Sequence, residues 1–256
     1  MKLTKDLVDG IKRHREVSLF GSEGTVYLYQ DFALKQYHDF YQDYLETLKD
    51  MKSKIDELKN EYDVNTPRIL DCAELPCKSQ ILAYILMERA NGTAVYETSY
   101  DFLRKIYRGY QIEDSNIMIA KYTKYMSEML AEGKQEHFDK FVHDMFSIEK
   151  SPFIKVDAFG RNYNYDEKTG FTLLDLTVLK HEKPEIDIAT QTKYVCRNSL
   201  AYIDQLSYGM LKKNRERQIS CLKEVIKKTY RAAKNNLPEQ HVRDYFQSRI
   251  DKNKHR

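Results

Sequence analysis

The strongest constraint on this chain is a change of hydrophobic period near Asn91-Gly92. Before it, residues 17–37 (VSLFGSEGTVYLYQDFALKQY) alternate β-formers about two turn signals, Gly21 to Gly24 and Gln30-Asp31, which predicts three strands. From 40 to 62, Tyr41, Tyr44, Leu45, Leu48, Met51, Ile55, Leu58 and Tyr62 recur at intervals of three and four, the stripe of an amphipathic helix. Pro67 ends that helix. Residues 68–72 and 79–87 read as two more strands, and the second contains QILAYILM, apolar enough to be buried on both faces. After Gly92, helical periodicity governs 99–146 and about 186–250, broken once by a β-rich stretch at 153–179 with a hairpin about Glu167-Lys168-Thr169-Gly170. The expected fold class is α+β: a small antiparallel sheet with one long helix over 1–91, then a mostly helical part over 92–256.

Composition narrows the partners. Against 39 Asp and Glu stand 42 Lys and Arg, a net charge of +3, too balanced for a dedicated nucleic-acid clamp. The basic stretch Lys212-Lys213-Asn214-Arg215-Glu216-Arg217, with Lys227, Lys228 and Arg231, reads as a solvated helix face. No run approaches the roughly 18 apolar residues of a membrane span. The N-terminal MKLTKDLVDGIKRHRE carries charges where a secretory leader needs an apolar core. The four cysteines, Cys72, Cys77, Cys196 and Cys221, lack zinc-ligand spacing and read as free, buried thiols. The expectation is a cytoplasmic-type compartment with no membrane and no nucleic acid. His137 and His143 are not four apart, and His181-Glu182 has no second histidine, so no H-E-x-x-H zinc site exists; Walker A and G-x-S-x-G sequences are also missing.

Phosphoryl transfer from a nucleotide requires a backbone cradle for phosphates, a cation to orient them, oxygen ligands for Mg²⁺ and a carboxylate at the attacking hydroxyl. The chain supplies a candidate for each, in order. In the turn Leu19-Phe20-Gly21-Ser22-Glu23-Gly24-Thr25-Val26, Gly21 and Gly24 let backbone amides approach phosphate with no Cβ in the way. Phe32-Ala33-Leu34-Lys35 puts Lys35 on the next strand, with Ala33 on the same face. Asp157, Asn162 and Asp175 form D-x4-N-x12-D about the hairpin, three oxygen-bearing side chains suited to a hard cation.

In this order and spacing the chain resembles the protein-kinase-like superfamily: L-x-G-x-x-G-x-V for the glycine loop, F-A-L-K for V-A-I-K, D-x4-N for the catalytic loop and L-L-D-L-T for the strand ending in D-F-G. The resemblance spans about 17–179. It implies a bilobal protein-kinase-like fold and an ATP-dependent phosphotransferase that uses Mg²⁺. By the same resemblance Gly21, Ser22, Gly24, Val26 and Ala33 would line the nucleotide site and Lys35 would hold its phosphates. Met87 would stand as gatekeeper, with the Glu88 to Ala90 backbone facing adenine. Asp157 would serve as base or hydroxyl-orienting carboxylate, and Asn162 and Asp175 as Mg²⁺ ligands. Glu57, ten residues before Pro67, is the implied partner of Lys35, with Glu46, Asp50 and Glu61 as alternatives.

Departures from the pattern shape the expected function. Leu19 stands at the first glycine position, Thr177 at the glycine of D-F-G, and Lys155-Val156 before Asp157 in place of His-Arg. Without that arginine, the usual receptor for an activation-loop phosphate is gone. Phe159 replaces the lysine after the base, and by the same resemblance Arg161, at the place of the arginine in tyrosine-kinase D-L-A-A-R-N loops, would neutralise the γ-phosphate; no A-P-E follows Asp175. These features resemble small bacterial or effector-type kinases, the latter acting in a host cytosol, and small-molecule phosphotransferases. The expected activity is transfer of the γ-phosphate to a hydroxyl acceptor, as in an atypical Ser/Thr-type protein kinase. The alternatives are an antibiotic-type small-molecule kinase, or a pseudokinase acting as a protein-binding module.

Overall fold

The computed structural model describes residues 2–20, 24–38, 44–77, 80–94, 135–156, 162–166, 168–174, 176–179, 181–208 and 215–254. The chain divides into two units, Met1–Ala90 and Asn91–Arg256. The first is a five-stranded antiparallel sheet of β1 (Val17–Phe20), β2 (Gly24–Tyr29), β3 (Phe32–Tyr37), β4 (Ile69–Cys77) and β5 (Gln80–Glu88), in the order β1-β2-β3-β5-β4. With it come two helices, α1 (Lys5–His14) and α2 (Tyr44–Tyr62).

Helix α1 has no counterpart in the sequence expectation. Thr4 caps its start by accepting from the Leu7 amide at 3.3 Å, Asp6 sits in its first turn, and Lys12, Arg13 and His14 close it in accord with the helix dipole. Val8 and Ile11, with Leu3 just before the helix, pack on Leu34, Leu82, Tyr84 and Leu86 of one sheet face. Lys12 lies along that face and donates to the Tyr84 hydroxyl at 3.0 Å. Helix α2 packs against β4 and β5, burying Leu48, Ile55 and Leu58, and the Leu45 amide donates to Glu74 of β4 at 3.3 Å. Glu74 pairs with Ala83 and Cys72 with Ile85, so α2 covers the face opposite to α1. Covered on both sides, Leu82 to Leu86 are all buried, as their unbroken apolarity predicts. Strand β4 runs past the expected end at Cys72 to Cys77. Pro76 is tolerated because β4 is an edge strand with one side of its ladder unused.

The second unit holds a three-stranded sheet, β6 (Thr93–Ala94), β8 (Tyr163–Asp166) and β9 (Gly170–Leu173), and a two-stranded ladder of β7 (Ile154–Val156) with β10 (Leu176–Val178). Its described helices are α3 (Gln135–Lys150), α4 (Ile188–Tyr208), α5 (Arg215–Asn236) and α6 (Glu239–Lys254). The predicted hairpin is β8–β9. Gly170 takes φ +77°, which a side chain disfavours, and Asp166 accepts from the amides of Lys168 (2.9 Å) and Thr169 (3.0 Å) to hold the turn. Helix α3 presses aromatic rings onto this hairpin. Phe138 and Phe141 meet Phe171 at centroid separations of 5.4 and 4.8 Å, and Phe141 meets Tyr163 at 5.2 Å. The helix expected over 99–146 is seen from Gln135; the rest of that range lies outside the described residues. Among the described residues of 186–250 there are three helices, with Asp187 capping α4 and Pro238 separating α5 from α6. The observed class is α+β, with the expected small antiparallel sheet and long helix followed by a mostly helical part. No helix among the described residues is long and apolar enough to cross a membrane.

Candidate active site

In the first unit the ladder brings four of the sequence-predicted residues onto one face. Lys35 pairs with Val26 on one side and Ile85 on the other; Ala33 pairs with Leu28 and Met87. Directly paired residues point to the same side of a sheet, and Ala33 and Lys35 are two apart, so Val26, Ala33, Lys35 and Met87 share the α2 face. The half-buried Lys35 ammonium lies 4.8 Å from the centre of the Tyr37 ring. This is an apolar floor beside a cation. Gly24 has a packing reason for being glycine: it pairs with Tyr37, and a Cβ there would stand 2.2 Å from the Gln36 carbonyl oxygen. Gly21 and Ser22 lie outside the described residues.

The Glu88 to Ala90 strip is held by a residue that sequence reasoning passed over. The Arg89 amide donates to the Asp31 carbonyl at 2.8 Å. Its guanidinium donates to the Gln30 carbonyl at 3.0 Å and meets the Glu16 carboxylate at 2.7 Å, pinning the strip to the β2–β3 turn. Gln30 in that turn has φ +50°. Glu88 accepts from the Arg68 amide at 3.0 Å and donates its own amide to the Arg68 carbonyl. Hydrogen bonds from Arg89 and the Gln30 amide hold Glu16 below the usual carboxylate range.

On α2, Glu57 is exposed, and so are Glu46, Asp50 and Glu61. Their neighbour Asp56 is half-buried. One of its oxygens is 2.5 Å from the Lys52 ammonium, and the other is buried without a hydrogen-bond partner among the described residues.

In the second unit two backbone pairings involve residues that adjoin these positions in sequence. Val156, which immediately precedes Asp157, pairs with Leu176, which immediately follows Asp175. Asn162 is buried at the start of the β8–β9 hairpin, and its carbonyl accepts from the amide of Leu174, the residue before Asp175, at 2.8 Å. Asp157, Arg161 and Asp175 themselves lie outside the described residues. Thr177 extends as part of β10, paired with Lys155 and exposed. Among the described residues no group of three His, Cys, Asp or Glu side chains is placed to hold a metal. The thiols of Cys72 and Cys196 are buried and free, burial pushing Cys196 up to about 12; Cys77 is free and half-buried.

No protein-family model matches this sequence, and no curated protein does. Among solved structures, WbdD is 10% identical over 88% of this chain and 46% of its own, with a TM-score of 0.40. The kinase domain of a Toxoplasma gondii rhoptry antigen is 9% identical over 93% and 81%, at 0.46. The apo structure of a pseudokinase is 8% identical over 96% of each chain, at 0.44. The chain spans less than half the length of the WbdD chain. A likeness this remote assigns neither a site nor an activity.

Proposed function

We propose that this chain is a protein-kinase-like phosphotransferase that binds Mg·ATP and passes the γ-phosphate to a hydroxyl acceptor, in the manner of an atypical Ser/Thr-type protein kinase. The observation that carries this reading is the convergence of the backbone around the D-x4-N-x12-D residues: Val156 pairs with Leu176, and Asn162 bonds Leu174. The described neighbours of Asp157 and Asp175, Val156 and Leu176, are directly paired, as the reading requires. The common face of Val26, Ala33, Lys35 and Met87 supports it independently.

The residues present fit the groups this reading needs. Val26, Ala33 and Met87 offer apolar surface to a purine, and Lys35 a cation to phosphate oxygens. Asn162 and Asp175 are oxygen donors of the kind a hard cation takes. When bound, Mg²⁺ neutralises charge on the phosphates. Within this reading Lys35 holds the α- and β-phosphates, and Arg161 screens the γ-phosphate. Asp157 orients the acceptor hydroxyl and takes its proton as the new ester bond forms and the bond to ADP breaks. The work is positioning and charge neutralisation, with no covalent intermediate on the protein.

Nucleotide titration tests the proposal. Lys35→Met is expected to weaken ATP binding by about tenfold or more, the loss of a charge-assisted contact. Asp175→Ala is expected to abolish the Mg²⁺-dependent part of that binding and leave the metal-free part alone. Binding that neither substitution alters would sink the assignment.

A further inference from the structure

Between Asp175 and α4, residues 176–179 and Lys183 are tied by backbone hydrogen bonds to residues 152–156, which lead into Asp157. Leu176, Thr177 and Val178 pair with Val156, Lys155 and Ile154, the Leu179 amide donates to the Phe153 carbonyl at 2.7 Å, and the Lys183 amide donates to the Pro152 carbonyl at 2.7 Å. The side chain of Lys183 then turns onto the end of α3. Its ammonium donates to the carbonyls of Ile148 at 2.8 Å and Glu149 at 3.4 Å, and it lies 3.9 Å from the Glu149 carboxylate. Helix ends leave their last carbonyls unsatisfied and carry partial negative charge, so a buried ammonium is well matched there. Both groups are sheltered: the Lys183 and Glu149 side chains are 16% and 11% exposed. Burial pulls the ammonium below the ordinary lysine value, with Glu149 opposing the shift and Lys155 adding to it. Thr177, where the kinase pattern has glycine, adds stiffness, because a β-branched residue favours the strand it occupies.

We propose that Lys183 is a built-in latch: by capping α3 it fixes the strand entering Asp157 and the segment leaving Asp175 in one register, so that this segment is ordered without phosphorylation. Its effect on nucleotide rests on the phosphotransferase reading above; the latch itself does not. Lys183 is thus a positioning residue, acting through Asp157 and Asp175.

Amide hydrogen exchange on the full chain, shown by mass spectrometry to be unphosphorylated, reads the latch directly. The Leu179 and Lys183 amides are expected to exchange about a hundredfold or more below the unstructured rate. Lys183→Met is expected to speed both by about tenfold or more, and Lys183→Arg, which keeps a cation on the carbonyls, to retain most of the protection. In parallel, Lys183→Met should raise the Mg²⁺ concentration needed for half-maximal ATP binding by about tenfold, with metal-free binding unchanged and Lys183→Arg near the parent. Unprotected amides in the parent chain, a measurement that needs no variant to fold, overturn the latch; so does identical exchange in Lys183→Met. Faster exchange with an unaltered Mg²⁺ requirement overturns the positioning role. A parent chain that binds no Mg·ATP overturns the positioning role together with the nucleotide reading, while the exchange result still decides the latch.

Discussion

Val156 of β7 and Leu176 of β10 face each other across an antiparallel ladder, one residue before Asp157 and one residue after Asp175. Nineteen intervening residues, 157–175, therefore leave and return at the same place, and Asn162 immediately precedes the β8–β9 hairpin within them. What holds that loop is apolar: Phe171 sits among Phe138, Phe141 and Tyr165.

Phe171→Ala should accordingly destabilise the protein by about 3–5 kcal/mol, the usual cost of removing a buried aromatic ring and leaving a cavity. Urea unfolding followed by circular dichroism measures it. A loss under about 1 kcal/mol would mean that the aromatic cluster does not anchor the hairpin.

Gly24→Ala should cost about 1–3 kcal/mol, since the new methyl must displace the Gln36 carbonyl, 2.2 Å away, and with it the β2–β3 pairing. Thermal unfolding without nucleotide is the check. An unchanged midpoint would show that the strands separate there freely and that this glycine answers to something other than packing.

The turn of the hairpin should be sensitive to acid. Burial alone would raise the Asp166 carboxyl, but donation from the Lys168 and Thr169 amides and the Thr169 hydroxyl outweighs it and holds the group below its ordinary value of 3.8. A carboxylate depressed in the folded state contributes stability that is complete above the unfolded value and is lost as pH falls through the lower folded one. Asp166→Asn should then flatten the fall in stability below about pH 4 while lowering stability at neutral pH. Equal slopes for parent and variant below pH 4 would remove Asp166 from the account.

Thiol labelling separates the cysteines. Cys196, buried with its thiol pushed up to about 12, and Cys72, raised by burial, should resist alkylation in the native chain, while half-buried Cys77 reacts before either of them. Peptide mapping after brief iodoacetamide treatment locates the label; early modification of Cys196 would contradict the packing around it.

Much of the sheet was legible because strand periodicity carries its own geometry. Once β2, β3 and β5 were placed by alternation and turns, the period of two alone predicted that Ala33 and Lys35 share a face, and the ladder added Val26 and Met87. The exposure of individual carboxylates on α2 was harder to read. The stripe of Leu48, Ile55 and Leu58 orients α2, but on a helix rich in Asp and Glu the stripe leaves several carboxylates near its edge; Glu57 proves exposed and Asp56 half-buried. Helix α1 escaped notice although Val8 and Ile11 stand three apart with charged residues on the other face: at ten residues it is short, and part of its anchorage is the long stem of Lys12 on Tyr84. Lys183 and Arg89 were invisible for a related reason. A lone cation in a connecting segment reads as solvated surface until the carbonyls it caps are known.

Phosphoryl transfer tests the central assignment most directly. With labelled ATP and Mg²⁺, alone and with a lysate as a source of acceptors, the parent chain should transfer phosphate, and Asp157→Ala should do so about 10²–10⁴-fold more slowly, the range for loss of a general base. Equal transfer by the two proteins, or none from a parent chain that demonstrably binds ATP, would contradict it.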